Sequence, residues 1–178
     1  RRICTIWQMA ISQTTDEIIS NGREFLKMEL GSLALEQADV VLEKDSENKD
    51  ALLLKGDVLL KANDYLAAAN VYERLTQLDP HNAEYAGRAT NALMLGGSLE
   101  AALHQAEIFK KLANGWPGAL LMISNIYERT GKTEQAWEVL HSAPLGEEFV
   151  GGVASIAPRL LMQEKKYGEA IDVIKNYL

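Results

Sequence analysis

The sequence predicts an all-α fold, a solenoid of stacked antiparallel helix pairs, on the basis of two observations. Apolar residues recur at spacings of three and four, the period of a helix buried on one face, and strand-like alternation is absent. In addition, one small residue recurs every thirty-four positions without insertion or deletion, at Ala34, Ala68, Ala102, Ala136 and Ala170. A fixed period in this range is typical of repeat proteins, whose units bury their apolar faces against their neighbours.

The residues around each alanine recur with the same period. Four residues later stand Ala38, Tyr72, Ala106, Leu140 and Ile174, and three further on stand Val41, Leu75, Phe109, Ala143 and Tyr177. We therefore divide the chain into about five repeats, 15–48, 49–82, 83–116, 117–150 and an irregular 151–178, and number positions within each repeat from its first residue. Residues 1–14 are expected to be the remnant of a preceding repeat helix, with Cys4 and Trp7 at its packing positions. Val173, Ile174 and Tyr177 are expected to be poorly covered.

Each repeat is expected to contain two helices, such as 51–61 and 65–78, separated by a short turn. Asp64, Ser98 and Thr133 are predicted to cap the second helices, because their side-chain oxygens can accept backbone N–H groups. In the first repeat Glu29 stands where the next three repeats have Asn63, Gly97 and Gly131, and Gly31 comes two positions later, so we expect a shifted turn there.

The fifth repeat is expected to have a bent or late-starting first helix. Gly151, Gly152 and Pro158 fall within that helix, and an interior proline removes a backbone hydrogen bond and clashes with the preceding turn. A degenerate terminal repeat and a functional hinge are equally compatible with this pattern.

Composition limits the classes of function. Apolar residues make up 47% of the 178 residues and charged residues 24%, which is typical of a globular protein. The net charge of −7 argues against a nucleic-acid partner, which would need a basic stripe. No run of 18 apolar residues is present, so direct membrane insertion is not expected. The single cysteine excludes an internal disulfide and leaves the compartment open.

No residue pattern indicates catalysis, a cofactor or a metal. Gly131-Lys132-Thr133 resembles the end of a phosphate-binding loop, but Ile126 stands where that loop needs another glycine. The three histidines lie in different places without a second ligand at zinc spacing, and Cys4 has no identifiable base. The predicted function is therefore non-enzymatic.

The recurring residues resemble those of the tetratricopeptide repeat (TPR) family. The second repeat is most similar to the family pattern, with Leu52, Gly56, Leu59, Ala68, Tyr72, Leu75 and Pro80 at its characteristic positions. Gly22 repeats the glycine of position 8, whereas Thr90, Ser124 and Pro158 depart from it. The resemblance implies a right-handed superhelix whose concave surface is lined by the first helix of each repeat.

The resemblance also implies which residues face the concave groove, namely positions 2, 5, 6, 9, 12 and 13. From this set we select as the candidate peptide-binding residues Leu53, Leu54, Asp57, Lys61, Arg88, Asn91, Met94, Leu95, Leu121, Met122, Asn125 and Arg129. An apolar stripe with polar neighbours is typical of a binding surface. The carboxylate clamp by which some family members hold chaperone C-termini is excluded, because its lysines at positions 2 and 5 and its asparagine at position 6 are missing.

The sequence thus predicts a non-catalytic adaptor that binds a peptide or helical segment of a partner in this groove, as a fragment of a component of a larger multiprotein complex. Two alternatives stay open at this point: a module that self-associates through its repeat ends to form a homo-oligomer, and the regulatory domain of a larger enzyme.

Overall fold

The structure, a computed structural model, describes residues 14–114, 117–142, 147–166 and 168–172, with side chains omitted for 147–151. The described residues form helices and turns only. Cys4, Trp7, Ala143, Val173, Ile174 and Tyr177 lie outside these ranges. The helices are α1 (Thr15–Lys27), α2 (Gly31–Leu42), α3 (Lys49–Lys61), α4 (Tyr65–Leu78), α5 (Ala83–Leu95), α6 (Leu99–Leu112), α7 (Pro117–Arg129), α8 (Thr133–Ser142) and α9 (Glu147–Gln163). Residues 168–172 are also helical.

In each of the first three repeats the first helix begins after a side chain that caps it. Thr14 accepts a hydrogen bond from the Glu17 amide at 3.3 Å, and the Glu17 carboxylate accepts one from the Thr14 amide at 3.0 Å, forming a capping box. The Asn48 side chain caps α3 by accepting from the Ala51 amide at 3.1 Å, and the Asn82 side chain caps α5 by accepting from the Glu84 amide at 3.0 Å. These caps recur at the thirty-four-residue period, although the sequence analysis did not single them out.

The turn within each pair keeps one backbone geometry throughout. A residue with positive φ follows each first helix, at Glu29, Asn63, Gly97, Gly131 and Lys165. The next amide then donates to a carbonyl five residues earlier, for example from Leu30 to Phe25 at 2.9 Å and from Ser98 to Leu93 at 2.9 Å. This is the Schellman motif, which satisfies carbonyls left open at a helix C-terminus.

The expectation of a shifted turn at Glu29 is therefore wrong. Glu29 itself takes the left-handed conformation, with φ of 63°, so α2 begins at Gly31 in register with the other second helices. The two Schellman hydrogen bonds hold this conformation in place of a glycine.

Of the three predicted caps, only the one at Asp64 is confirmed. Its carboxylate accepts from the Ala67 amide at 3.3 Å. Ser98 precedes α6 but makes no capping hydrogen bond. Thr133 is the first residue of α8 rather than its cap, and its hydroxyl bonds to the Gln163 side chain at 3.0 Å.

The helix of the fifth repeat begins early rather than late. It covers Glu147–Gln163 and is 17 residues long, with Pro158 inside it. Pro158 is buried, as are its neighbours Ile156, Ala157 and Leu160. Burial of this apolar segment compensates for the missing backbone hydrogen bond, since each large aliphatic side chain that is buried contributes about 1.5–3 kcal/mol.

The chain divides into two compact units, residues 1–78 and 79–178. In the first, α1 packs on α2, α3 packs on α4, and α2 contacts α3. In the second, α5 packs on α6, α7 on α8, and α7 also contacts α6 and α9. The recurring alanines are all buried, with at most 1% of their surface exposed. Among the described helices, none has the length and apolar character needed to cross a bilayer.

Candidate functional site

The first helices of unit 1 enclose an open pocket of about 340 Å³. It lies between α1 and α3, and four of the predicted binding residues line it. Positions 5, 9 and 13 share one face because residues four apart lie above one another on a helix. The lining residues are Arg23, Leu26, Lys27, Leu53, Leu54, Asp57 and Lys61.

The polar residues of this pocket are held in place by bonds to neighbouring helices. The Tyr72 hydroxyl donates to the Asp57 carboxylate at 2.6 Å, and the Lys61 ammonium donates to the Leu26 carbonyl at 3.0 Å. Arg23 forms an ion pair with Asp50 at 2.6 Å. Arg23 and Lys61 are nevertheless exposed, so they can interact with a ligand over the pocket.

Leu53 and Leu54 differ in how much of their side chains is exposed at the pocket. Leu53 is half-buried at the pocket. Leu54 is only 2% exposed and belongs to the core cluster of unit 1, where its side chain occupies the space left open by Gly22. Leu54 therefore stabilises the contact between α1 and α3, and Leu53 supplies the apolar surface of α3.

In unit 2 the predicted residues lie on α5 and α7. Arg88 forms an ion pair with Glu84 at 2.9 Å along α5. The Arg129 guanidinium of α7 donates to the Met94 carbonyl of α5 at 2.7 Å, which joins the two helices at one end. Leu95 is 50% exposed beside it. Asn91, Met94 and Asn125 are half-buried.

Leu121 and Met122 take part in packing as well as in this surface. Leu121 packs with the cluster of α7, α8 and α9, and its side chain occupies the space that a Cβ at Gly152 would need. Met122 packs against Ala86, Phe109 and Ala119. Both stay half-buried, so each helps to hold its helix and still presents part of its surface.

A recurring bond between repeats was not anticipated from the sequence. In the second, fourth and fifth repeats the residue at position 13 donates to the position-12 carbonyl of the preceding repeat, as Lys61 does to Leu26, Arg129 to Met94, and Gln163 to Glu128 at 3.3 Å. A long donor at position 13 is the sequence signal that could have revealed it. Because helix C-termini leave carbonyls without partners, this bond stabilises the contact between successive first helices.

Glu128 is a buried carboxylate with two partners. It is 8% exposed, pairs with Arg159 at 3.1 Å and accepts from the Gln163 amide at 3.2 Å. A buried charge needs partners of this kind to offset its loss of hydration. Glu128 and Arg159 therefore connect α7 to α9 and are engaged within the protein.

A second cluster in unit 2 lies around Trp137, on α8 and the turn that follows α9. Its ring stacks on His141 with centroids 5.7 Å apart, and its indole N–H donates to Glu164 at 2.9 Å. Hydrogen bonds from Lys166, and then from Trp137, lower the pKa of the Glu164 carboxyl, and Glu164 in turn raises the pKa of Lys166. Because the pKa of Glu164 is lowered, its carboxylate is ionised at neutral pH and bonds to Lys166 and Trp137 there. These bonds weaken as the pH falls through the lowered pKa of Glu164.

No group of three or more His, Cys, Asp and Glu side chains within the described ranges is arranged to hold a metal ion. The candidate residues themselves comprise apolar side chains, the amides of Asn91 and Asn125, cations and the Asp57 carboxylate.

The chain matches a family model described as tetratricopeptide repeat over residues 20–83 and 53–107. No curated protein matches it in sequence.

Three solved structures illustrate its similarity in fold. A crystal structure of the MamA protein has a TM-score of 0.79 at 19% identity and covers 92% of this chain and 90% of its own. MamA from Desulfovibrio magneticus RS-1, from residue 41 to its end, has a TM-score of 0.79 at 16% identity, covering 92% of each chain. YrrB, described as a TPR protein with an unusual peptide-binding site, has a TM-score of 0.73 at 16% identity and covers 97% of this chain and 89% of its own. The three structures share the fold of this chain. The family model over residues 20–107, together with the thirty-four-residue pattern that continues to Ala170, shows that the chain belongs to the tetratricopeptide repeat family.

Proposed function

We propose that the chain is a non-catalytic adaptor that binds a peptide or a helical segment of a partner protein on the surface of its first helices. Members of the TPR family serve as protein–protein interaction scaffolds, and YrrB, similar in fold, is described as having a peptide-binding site. The proposal assigns the contact to α1 and α3 in unit 1 and to α5 and α7 in unit 2.

The pocket between α1 and α3 carries this proposal. Leucines form its apolar part and three cations stand around it, together with the carboxylate of Asp57. A concave apolar surface with a few fixed polar groups is the usual form of a binding site. The apolar side chains of the ligand would enter beside Leu53, and Arg23 and Lys61 would interact with its carbonyl or carboxylate oxygens.

The surface of α5 and α7 supports the same function. Leu95, Met94 and Met122 supply apolar contact there, and methionine adapts to differently shaped ligands because its side chain is flexible. The amides of Asn91 and Asn125 can each donate to and accept from a peptide backbone. Arg88 and Arg129 add cations to this surface.

Charge substitutions on the first helices test the proposal. We expect Leu53→Glu and Leu95→Glu each to reduce capture of a partner from an extract of the source cells at least tenfold, since burial of a carboxylate without a partner opposes binding. Captured proteins would be quantified by mass spectrometry. Circular dichroism should show unchanged helix content, because both side chains are at least partly exposed.

Leu66→Glu is the matched control for Leu95→Glu. Leu66 lies on the second helix α4 and is 52% exposed, close to the 50% of Leu95. Its substitution should leave the captured proteins unchanged. Equal capture by all three variants, or equal loss in all three, would contradict a ligand bound to the first helices.

A further inference from the structure

Unit 2 contains an open cavity between α8 and the residues that follow α9, with a volume of about 590 Å³. This volume is within the range of about 300–1,000 Å³ that is usual for ligand pockets. Its lining comprises Trp137, His141 and Leu161 together with four glutamates and one lysine. We call it the Trp137 cavity. None of the candidate peptide-binding residues of the first helices lines it, so the proposed function does not account for it.

The charged lining of the Trp137 cavity is mostly acidic. Glu134 and Glu138 stand on α8, Glu164 and Glu169 come from the fifth repeat, and Lys166 is the single lysine. Glu134 and Glu138 are exposed and form no hydrogen bond or ion pair with any residue that the structure describes. Because like charges four residues apart on a helix repel each other, a cation from outside the chain would relieve this repulsion.

Lys166 shows that the cavity stabilises a positive charge. Its ammonium pairs with the Glu164 carboxylate at 2.7 Å. The hydrogen bond with Glu164 raises the pKa of Lys166, and the charges of Glu164 and Glu169 raise it further. Lys166 engages Glu164, so Glu134 and Glu138 still lack a counterion.

The aromatic wall of the cavity is fixed in position. The indole N–H of Trp137 donates to Glu164 at 2.9 Å, and the ring stacks on His141 with an angle of 18° between the two planes. Leu161, which is 7% exposed, adds apolar surface. A guanidinium group stacks on aromatic rings and donates to carboxylates, so this combination of an aromatic wall and open carboxylates suits it.

Trp137 and Glu164 occur together at this junction between repeats and at none of the earlier ones. Position 21 of the first three repeats holds smaller side chains, namely Leu35, Ala69 and Leu103. Position 14 of repeats two to four holds no acid, namely Ala62, Gly96 and Thr130. The helix pairs of those repeats pack without either group, so the stacking of helices does not require the chemistry of this cavity.

We infer that the Trp137 cavity is a second docking site, which binds an arginine side chain exposed on a partner protein. Charge complementarity indicates a cation, and among the described residues no three acidic or histidine side chains are arranged to hold a metal ion. A guanidinium is planar and has five N–H donors, so it can stack beside Trp137 and bond to more than one carboxylate. A second copy of the chain is a poor occupant, because the net charge of −7 makes the copies repel each other.

Titration of the full chain with short peptides, followed by NMR, tests this inference. The probe is acetyl-Gly-Arg-Gly-amide, and its two controls replace the arginine by citrulline, which has a similar shape without the charge, or by lysine. We expect the probe to shift the indole N–H signal of Trp137 and the amide signals of Glu138 and Glu169. The citrulline peptide should bind about tenfold more weakly, and the lysine peptide should lie between the two, because an ammonium keeps the charge but cannot stack as a plane.

Substitutions separate the cavity from the acidity of the whole chain. Glu134→Gln combined with Glu138→Gln should weaken binding of the probe about tenfold. Glu43→Gln combined with Glu47→Gln is the matched control, because it removes the same charge from two exposed glutamates four residues apart in unit 1, and it should leave the binding unchanged. Trp137→Leu should abolish the preference for arginine over lysine while circular dichroism stays helical.

Three results would overturn the inference. They are equal binding of the arginine and citrulline peptides, equal weakening by the two double variants, and NMR contacts from the Trp137 ring to residues 173–178 or to a second copy of the chain. Leu53→Glu and Leu95→Glu should not change the titration, because neither residue lines this cavity. Failure of the proposed peptide surface would therefore be distinguishable from failure of this site.

Discussion

The side chain at position 8 determines how closely the two helices of a pair approach. Gly22, Gly56, Thr90 and Ser124 stand there, and all are buried. Thr90 donates to the Ala86 carbonyl at 2.8 Å and Ser124 to the Ala136 carbonyl at 3.1 Å. A small hydroxyl is thus tolerated in place of glycine, because it fits and its hydrogen bond is satisfied.

Gly56 is the position at which this restriction is sharpest. A Cβ on Gly56 would lie 2.6 Å from the Tyr72 ring, which is fully buried and anchored through its hydroxyl to Asp57. We expect Gly56→Ala to lower the free energy of unfolding by about 1–3 kcal/mol through overpacking. Gly31→Ala should be neutral or stabilising by up to about 1 kcal/mol, because a Cβ there would meet the Val58 Cγ1 atom at 3.9 Å, an ordinary van der Waals contact. Urea unfolding of both variants checks this, and equal effects would contradict it.

At the scale of the element, one turn geometry serves repeats with different residues. The left-handed position holds Glu, Asn, Gly, Gly and Lys in turn, and the same two backbone hydrogen bonds close every turn. A residue other than glycine loses about 1–2 kcal/mol in this conformation. The turns at Glu29 and Lys165 are therefore formed against local preference by the packing of the helices on either side.

Glu29→Gly is expected to raise the free energy of unfolding by about 1 kcal/mol, because it removes the left-handed strain. Gly97→Ala is the reciprocal change, since Gly97 has φ of 78° and a Cβ there would meet no atom within 4 Å. It should lower stability by a similar amount through backbone strain alone. Thermal or urea unfolding of the two variants measures the change in the free energy of unfolding for each. A loss of stability in Glu29→Gly would refute this account of the turn.

At the scale of the whole molecule, each unit consists of helix pairs that bury one face on each other and another on the next pair. In repeat proteins of this kind, stability is close to a sum of nearest-neighbour terms. The alanine at position 20 lies in the contact within each pair and is buried in every repeat. Equivalent substitutions in different repeats should therefore have similar consequences.

Ala102→Leu is expected to lower stability by about 1–3 kcal/mol through overpacking, and Ala34→Leu and Ala136→Leu should behave alike. Ala101→Leu is the control, because Ala101 is the adjacent residue of α6 and is exposed. Its effect should stay within about 0.5 kcal/mol. Denaturant unfolding of the four variants measures this, and a loss in Ala101→Leu as large as in Ala102→Leu would contradict the assignment of position 20 to the core.

The site could be predicted from the sequence only in part. Leu53, Asp57 and Lys61 line one pocket as expected, since a shared helical face follows from spacing alone. Leu54 was selected by the same rule but lies in the core, because Gly22 of the preceding helix leaves room for it. The residues engaged between repeats, such as Arg129 and Glu128, depend on the reach of side chains across a helix contact that the period does not describe.

The sequence alone determined the helical period, the family and the residues that every repeat buries, because burial of one helical face requires the same residues to recur in each unit. The tertiary structure decided the turn at Glu29, the early start of the helix at Glu147 and the cavity beside Trp137. Each of these depends on the volume and bonding of residues from a neighbouring helix. Packing of that kind is a property of the assembled helices, and for that reason local spacing does not predict it.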